Sequence, residues 1–407
     1  MSLKVCYLLP RLLPGETGVV VGGCAANCVS LALELRRQGV QMEILASVPE
    51  KHLESLSRHP AGEIVKPLPS IGTGLIAKGI GAIQVLRRSL KKRMRETRYD
   101  VVHSHSGTYP YAIVALAANR RTSVRFHSLY CPLGAKGGLY TDWWEKPIAA
   151  RLIFNKLDRI IAVTDNVRQS IEKAGVPPEK IESISMSVDT QRFHPMDPKE
   201  PGKYFPGKSN SARILFVGNT SKEKGLIELL QAMRILTRKG IPLFLVVAVE
   251  NQSQIKEYTS RFDYVKRLVA ESELAQSVQL VGLIDHIENL YAESDLVVIP
   301  WNTSRGPSDY PMVAMEAMAM GKCIVSTPVG GCPKLLIDGK AGILTTGFSA
   351  ESISTAIEFA INHPELRRTK GQAALEAANH FSLEKSGNRM INLYERLLKR
   401  KIQGNEK

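Results

Sequence analysis

The residues best placed to do chemistry lie in the stretch Ser308-Asp309-Tyr310-Pro-Met312-Val313-Ala-Met-Glu316-Ala-Met-Ala-Met-Gly321. It follows an apolar run ending in Pro300 that reads as a strand, and it opens a helix. The first amides of a helix have no partner within it, and the helix dipole is positive there. The Met312 and Val313 amides therefore offer a seat for a phosphate. Glu316, one turn further in, is placed to accept hydrogen bonds from ribose hydroxyls. The turn Val329-Gly330-Gly331 after the next strand closes over the same place.

Such a site needs elements to carry it. Lys4–Leu9 reads as a buried strand, followed by the Gly-rich turn Val21-Gly22-Gly23 and a helix from about Ala25 to Gln38 that Gly39 stops. Gln41–Ala46, Asp100–His103, Ser123–His127 and Arg159–Thr164 read as further strands. Helices fall at Tyr111–Ala118 and Asn166–Ala174. Pro and Gly crowd together between Phe193 and Ser211, which marks a linker, and the alternation restarts after it at Arg213–Val217. A helix from Leu226 to about Lys239 follows, then strands at Leu243–Ala248, Val278–Val281 and Leu296–Pro300. Met312–Met320 is a helix, Cys323–Ser326 a strand, and Leu383–Lys401 a final basic amphipathic helix. Alternation of this kind implies parallel strands with crossover helices. Open sheets of that type bind ligands at the carboxyl ends of their strands, near topological switch points.

Composition narrows the classes. A chain of 407 residues suits two domains. With 44% hydrophobic and 23% charged residues it is globular rather than disordered. No apolar run is long enough for a membrane span, and no signal peptide is legible, so the expectation is a cytoplasmic protein. The six cysteines are scattered and read as reduced and buried; Cys24 and Cys28 are one turn apart but have no partner pair with metal-ligand spacing. No metal and no cofactor are expected.

The net charge of +15 is unevenly placed: residues 51–150 hold 16 Lys/Arg against 6 Asp/Glu. Ile76, Ile80, Ile83, Leu86, Leu90 and Met94 recur at helical spacing through Arg87, Arg88, Lys91, Lys92 and Arg95. That is an amphipathic helix with a basic outer face. It is either a solvated face or a surface for anionic lipid or a phosphorylated acceptor. Nucleic acid is not expected, because no aromatic–basic interleaving accompanies the charge. Trp143-Trp144, with Tyr140, reads as core packing or as an apolar rim for a lipid-linked acceptor.

The Ser308–Gly321 stretch resembles the signature of the retaining glycosyltransferases of family 4, in which a Glu, seven residues and a second Glu precede Ala-Met-Ala and Gly. The second Glu matches Glu316. Phe216-Val-Gly-Asn219-Thr-Ser-Lys-Glu-Lys224-Gly225 is similar to the family's phosphate-gripping turn, and Gly22-Gly23 to its N-terminal diphosphate loop. Asp158–Thr164 and Val188–Phe193 also resemble family segments. The resemblance covers nearly the whole chain. It implies the GT-B fold: two Rossmann-like domains, 1–200 for the acceptor and 208–382 for the nucleotide-sugar donor, facing across a cleft. A C-terminal helix and tail, 383–407, returns to the first domain.

The resemblance also implies roles. Lys224 binds the donor diphosphate as a point charge, and Gly22 and Gly23 let backbone approach it. His127 matches a His used near the donor sugar. His103 and His105 are either acceptor-side residues or satisfied structural histidines. Lys224, amides and helix dipoles, rather than a metal, stabilise the leaving group. The reaction implied is transfer with retention from a nucleotide sugar, most often a UDP-sugar, to a glycan, lipid-linked or small-molecule hydroxyl. Cell-surface polysaccharide synthesis on the inner face of the membrane is one setting for it.

Two positions depart from the pattern: Asn219 stands where the family has Arg, and Ser308 where it has its first Glu. Arg305 is a candidate for the missing cation, and Asp309 for the missing carboxylate if the loop shifts by one residue. An alternative reading is therefore a catalytically weakened homologue that acts as a binding partner. A nicotinamide oxidoreductase is disfavoured, since Val21-Gly-Gly-Cys replaces a Gly-x-Gly-x-x-Gly.

Overall fold

Strand β1 (Lys4–Leu9) is apolar along its length, and five of its six residues are buried. That is the mark of a parallel strand covered on both faces. The computed structural model describes residues 3–14, 20, 22–68, 81–134, 147–207, 210–249, 256–303 and 309–405. Arg305, Ser308, Ile76, Ile80, Tyr140, Trp143 and Trp144 lie outside these residues.

The chain divides into two compact units. The first comprises Met1–Ser187, Pro307–Asp309 and Leu383–Lys407; the second comprises Val188–Gly306 and Tyr310–Ser382. The division falls at Ser187/Val188, ahead of the Pro-rich stretch.

In the first unit, β1 is followed by α1 (Gly23–Arg37), β2 (Gln41–Ser47), α2 (Leu53–Arg58), β3 (Val65–Leu68) and α3 (Ala82–Glu96). Then come β4 (Val101–Ser106), α4 (Ala112–Ala115), β5 (Val124–Leu129), α5 (Pro147–Phe154), β6 (Arg159–Ala162), α6 (Asp165–Lys173) and β7 (Ile181–Ser183). The seven strands are parallel, in the order β3-β2-β1-β4-β5-β6-β7. The chain moves outward from β1 to β3, then restarts beside β1 at β4. The carboxyl ends of β1 and β4 are thus the switch point. The helix expected over Tyr111–Ala118 is shorter. Tyr109–Tyr111 is a 3₁₀ turn with Pro110 near its start, and Ala117 and Ala118 donate to carbonyls three residues back, which tightens the segment into a turn after α4.

The second unit runs β8 (Ala212–Gly218), α7 (Leu226–Arg238), β9 (Leu243–Val249), α8 (Lys256–Ala270), β10 (Val278–Val281), α9 (Ile287–Glu293) and β11 (Leu296–Ile299). It continues with α10 (Met312–Ala319), β12 (Cys323–Ser326), α11 (Cys332–Leu335), β13 (Ile343–Leu344), α12 (Ala350–Asn362) and α13 (Pro364–Ala378). Its six parallel strands are ordered β10-β9-β8-β11-β12-β13, so its switch point is β8/β11. In α7 the buried Leu226, Leu229, Leu230, Met233 and Leu236 recur at helical spacing and build one face of this core.

The last helix, α14 (Leu383–Asn405), belongs to the first unit and packs along α1. Leu383, Met390, Leu393, Tyr394 and Leu397 enter the same core as Tyr7 and Leu35. Tyr394 adds polar ties: its hydroxyl lies 3.2 Å from that of Tyr7 and 2.5 Å from His103 Nδ1. The return of this helix to the first domain, implied by the resemblance, is thus seen directly.

Candidate functional site

In the second unit, Lys224 sits on a single 3₁₀ turn, Lys222–Lys224, just beyond β8. Gly225 follows with φ +64°, and α7 starts immediately after it with no side-chain cap. A Cβ on Gly225 would lie 1.7 Å from the Pro300 carbonyl oxygen. The turn is therefore pressed onto the end of β11, where only glycine fits both the conformation and the space. Asn302 fastens it: its amide N donates to the Glu223 carbonyl at 3.2 Å and its Nδ2 to the Lys222 carbonyl at 2.8 Å.

Lys224 is half-buried, with its ammonium end enclosed, 3.5 Å from the centroid of the Trp301 ring. Burial pushes its pKa down to about 7, opposed by the nearby Cys332 and Glu223. Among the described residues no carboxylate forms an ion pair with it. At the start of α10, Pro311 is the N-cap, with no side-chain cap and no acidic residue in the first turn. The Met312 and Val313 amides are left as helix-start donors. Glu316 accepts a 2.8 Å hydrogen bond from the Tyr291 hydroxyl at Oε2, and Oε1 has no partner among the described residues. Burial raises the Glu316 pKa, while the Tyr291 hydrogen bond lowers it. The loop after β12 is latched on as well, because Thr327 Oγ1 donates to the Trp301 carbonyl at 2.5 Å.

The structure thus brings Lys224, Met312, Val313 and Glu316 to the carboxyl end of one sheet. Other expected residues do something else. Asn219 uses its Oδ1 to accept from the Ser221 amide at 3.0 Å, shaping the turn. Tyr310 is buried and packs edge-on against Phe381. Asp309 belongs to the first unit, where it accepts from Thr164 Oγ1 at 2.6 Å and Asn166 Nδ2 at 3.3 Å. Arg305 and Ser308 lie outside the described residues.

In the first unit, Gly22 takes φ +98°, and a Cβ there would meet nothing within 4 Å. Helix α1 begins at Gly23 with no side-chain cap and no acid in its first turn. This is another open helix start at a switch point. Three histidines lie beside it on β4 and β5, all fully buried. His103 is satisfied on both nitrogens, by Tyr394 and by Ser128 Oγ at 2.9 Å, and is structural. His105 bonds the Tyr130 hydroxyl at 3.1 Å through Nδ1, and its buried Nε2 has no partner among the described residues.

His127 carries more information. Its Nδ1 lies 2.9 Å from Ser104 Oγ, and Ser104 gives its one hydroxyl proton to the Phe126 carbonyl at 3.2 Å. Ser104 must then accept from His127, which fixes the Nδ1–H tautomer. Nε2, buried and without a partner among the described residues, is left as a hydrogen-bond acceptor. Burial pushes the His127 pKa down to about 3, so the ring stays neutral.

Trp301, Thr327, Tyr291 and Ser104 are not among the residues that the sequence singles out. Trp301 had a signal: it stands one residue past the strand-ending Pro300, at the switch point.

Comparison with known proteins gives the family and the fold. The model of "Glycosyl transferases group 1" matches residues 203–377 and that of "Glycosyltransferase Family 4" matches residues 21–192. The alpha-D-kanosaminyltransferase of Streptomyces kanamyceticus is 26% identical over 396 residues, covering 90% of this chain and 98% of the relative. A D-inositol 3-phosphate glycosyltransferase of Pseudarthrobacter chlorophenolicus is 24% identical, covering 99% of this chain and 96% of the relative. Among solved structures, Anabaena HepE in complex with UDP-glucose superposes with a TM-score of 0.76 at 18% identity, covering 97% of this chain and 100% of that one. Sucrose-phosphate synthase of Thermosynechococcus elongatus gives a TM-score of 0.77 at 17% identity, covering 97% and 99%. These two structural likenesses concern the fold.

Gly225→Ala tests the clamp of the Lys224 turn on β11. Backbone strain alone costs about 1–3 kcal/mol, and the collision with Pro300 adds to it. A lowered melting temperature is expected; an unchanged one contradicts this packing.

Proposed function

Because this chain is a glycosyltransferase of the family 4 type with the GT-B fold, we propose that it transfers a sugar, with retention, from a UDP-sugar to a hydroxyl of a glycan, lipid-linked or small-molecule acceptor. The observation that carries the donor half is the enclosed Lys224 ammonium beside the open start of α10 and Glu316. A cation and helix-start amides fit a diphosphate, and the free carboxylate oxygen fits a ribose. UDP as the nucleotide is supported by HepE, whose structures hold UDP and UDP-glucose.

In this reading the bond from the sugar's anomeric carbon to the diphosphate oxygen breaks as negative charge grows on the leaving group. Lys224 and the helix-start amides stabilise that charge without reorganising. The acceptor hydroxyl attacks on the face the nucleotide leaves and gives its proton to the departing phosphate. In the first unit, His127 Nε2 is left to accept a hydrogen bond, and burial keeps its ring neutral. The same machinery works without a metal.

A thermal-shift screen against UDP-, GDP-, ADP- and dTDP-sugars tests the donor. A bound nucleotide raises the melting temperature by mass action. The UDP-sugars should shift it, in EDTA as well as with added magnesium; no shift with any nucleotide sugar overturns the reading. The pH dependence has a definite sign. Only the ammonium form of Lys224 attracts the diphosphate, so UDP-sugar affinity falls as pH rises through about 7. An affinity that stays flat through neutral pH contradicts the lowered pKa of Lys224, and UDP-sugar binding undiminished in Lys224→Met contradicts Lys224 as the phosphate cation.

We also propose that the first unit docks on an anionic membrane surface. Arg87, Arg88, Lys91, Lys92 and Arg95 are exposed on α3, and none has an ion-pair partner among the described residues. Arg93 turns inward instead, to Glu43. On α5, Ile148 and Leu152 are 73% and 62% exposed, one turn apart. Both helices pack against α4, so basic and apolar surface share one side of the sheet. No helix among the described residues is long and apolar enough to cross a membrane. Binding to phosphatidylglycerol vesicles should weaken with salt and with Lys91→Glu/Lys92→Glu; binding unaffected by both makes α3 a solvated face only.

A further inference from the structure

Trp301 lies two residues beyond β11, and its ring lies against the Lys224 ammonium. The residue is buried, and its carbonyl is held by Thr327 Oγ1 from the neighbouring strand end. The ring therefore has a fixed position. The lysine's turn is fixed relative to it by the two hydrogen bonds from Asn302, the next residue along. The titratable groups that face the ammonium are Glu223 on its own turn and the Cys332 thiol at the start of α11.

An enclosed ammonium without a counterion is costly. The face of an indole offers partial compensation through its quadrupole, most strongly when water is excluded. It does so without a carboxylate in ion-pair contact among the described residues, Glu223 acting on the ammonium only through its field. Position 219 supplies no second cation, because the Asn219 amide is neutral; its Oδ1 accepts from the Ser221 amide and shapes the turn. Of the two lysines on this turn, Lys222 is exposed and Lys224 is the one packed on an aromatic ring, so the placement of Lys224 is the one the fold sets.

We propose that Trp301 is a positioning residue for the donor: its ring holds the Lys224 ammonium at the β8/β11 strand ends, ready for the diphosphate. The inference rests on the donor site proposed above. Trp301 acts through Lys224, so it affects phosphate binding and not the binding of the nucleoside portion. A residue that merely filled the core would affect both.

Calorimetric titration of the full chain with UDP and with uridine separates these cases. Trp301→Leu should weaken UDP about 5- to 30-fold, the worth of a desolvated cation–π contact, and leave uridine unchanged. Trp301→Phe keeps an aromatic face and should bind UDP within about threefold of wild type. In a Lys224→Met background, Trp301→Leu should cause no further loss, because the group it acts through is gone. Undiminished UDP binding by Trp301→Leu, an equal loss for uridine, or additive losses in the double variant overturns the proposal. Wild-type chain that binds no UDP overturns the donor reading and this role together. Wild-type binding that Trp301→Leu leaves intact overturns the role alone.

Discussion

One enclosed cation organises the second unit. The Lys224 ammonium rests on an aromatic ring, without a carboxylate partner among the described residues, at the point where the sheet order reverses. Several local features serve that placement. Gly225 lets the turn press onto Pro300, Asn302 ties the turn to the next strand end, and Thr327 ties that strand end to β12. The three connections are short and mutually dependent, so the lysine is delivered by backbone rather than by its own flexible stem. A cation already in position is stabilising when negative charge arrives, because little has to reorganise.

The first unit solves a different problem, keeping polar rings inside an apolar core. His103, His105 and His127 are buried with Tyr7, Tyr130 and Tyr394 around them. Burial and the neighbouring histidines hold His103 and His105 well below the usual histidine range, and burial alone does so for His127. Hydroxyl groups, not carboxylates, are their partners, which is consistent with neutral rings. α14 contributes Tyr394 to this network, so the last helix supports the polar interior as well as covering α1. His127 differs from His103 in one respect with chemical weight: one of its nitrogens is left over.

Much of this was legible in the sequence. Apolar runs mark β1 and β12 with the bounds observed, because strands buried on both faces leave a continuous apolar signal. Lys224 was marked only by the resemblance of its turn to a family pattern, whereas Glu316 was legible because a helix start fixes where it stands. The edge strands β3 and β13 were not: Lys66 and Pro67 interrupt the first, and the second is two residues long. Side-chain use was harder still. Asn219 and a cationic residue occupy the same place in a pattern, yet a short amide bonds its own turn where a long side chain would reach out. The division of labour between His103 and His127 depends on Tyr394, 291 residues beyond His103, which no local spacing reveals.

The most direct test is diffraction from crystals of the chain soaked with UDP. The nucleotide should lie at the carboxyl ends of β8 and β11, with a phosphate oxygen within hydrogen-bond reach of Lys224 Nζ and of the Met312 or Val313 amide, and the ribose on Glu316. A nucleotide bound elsewhere, with Lys224 still against Trp301 and the start of α10 unoccupied, would contradict it.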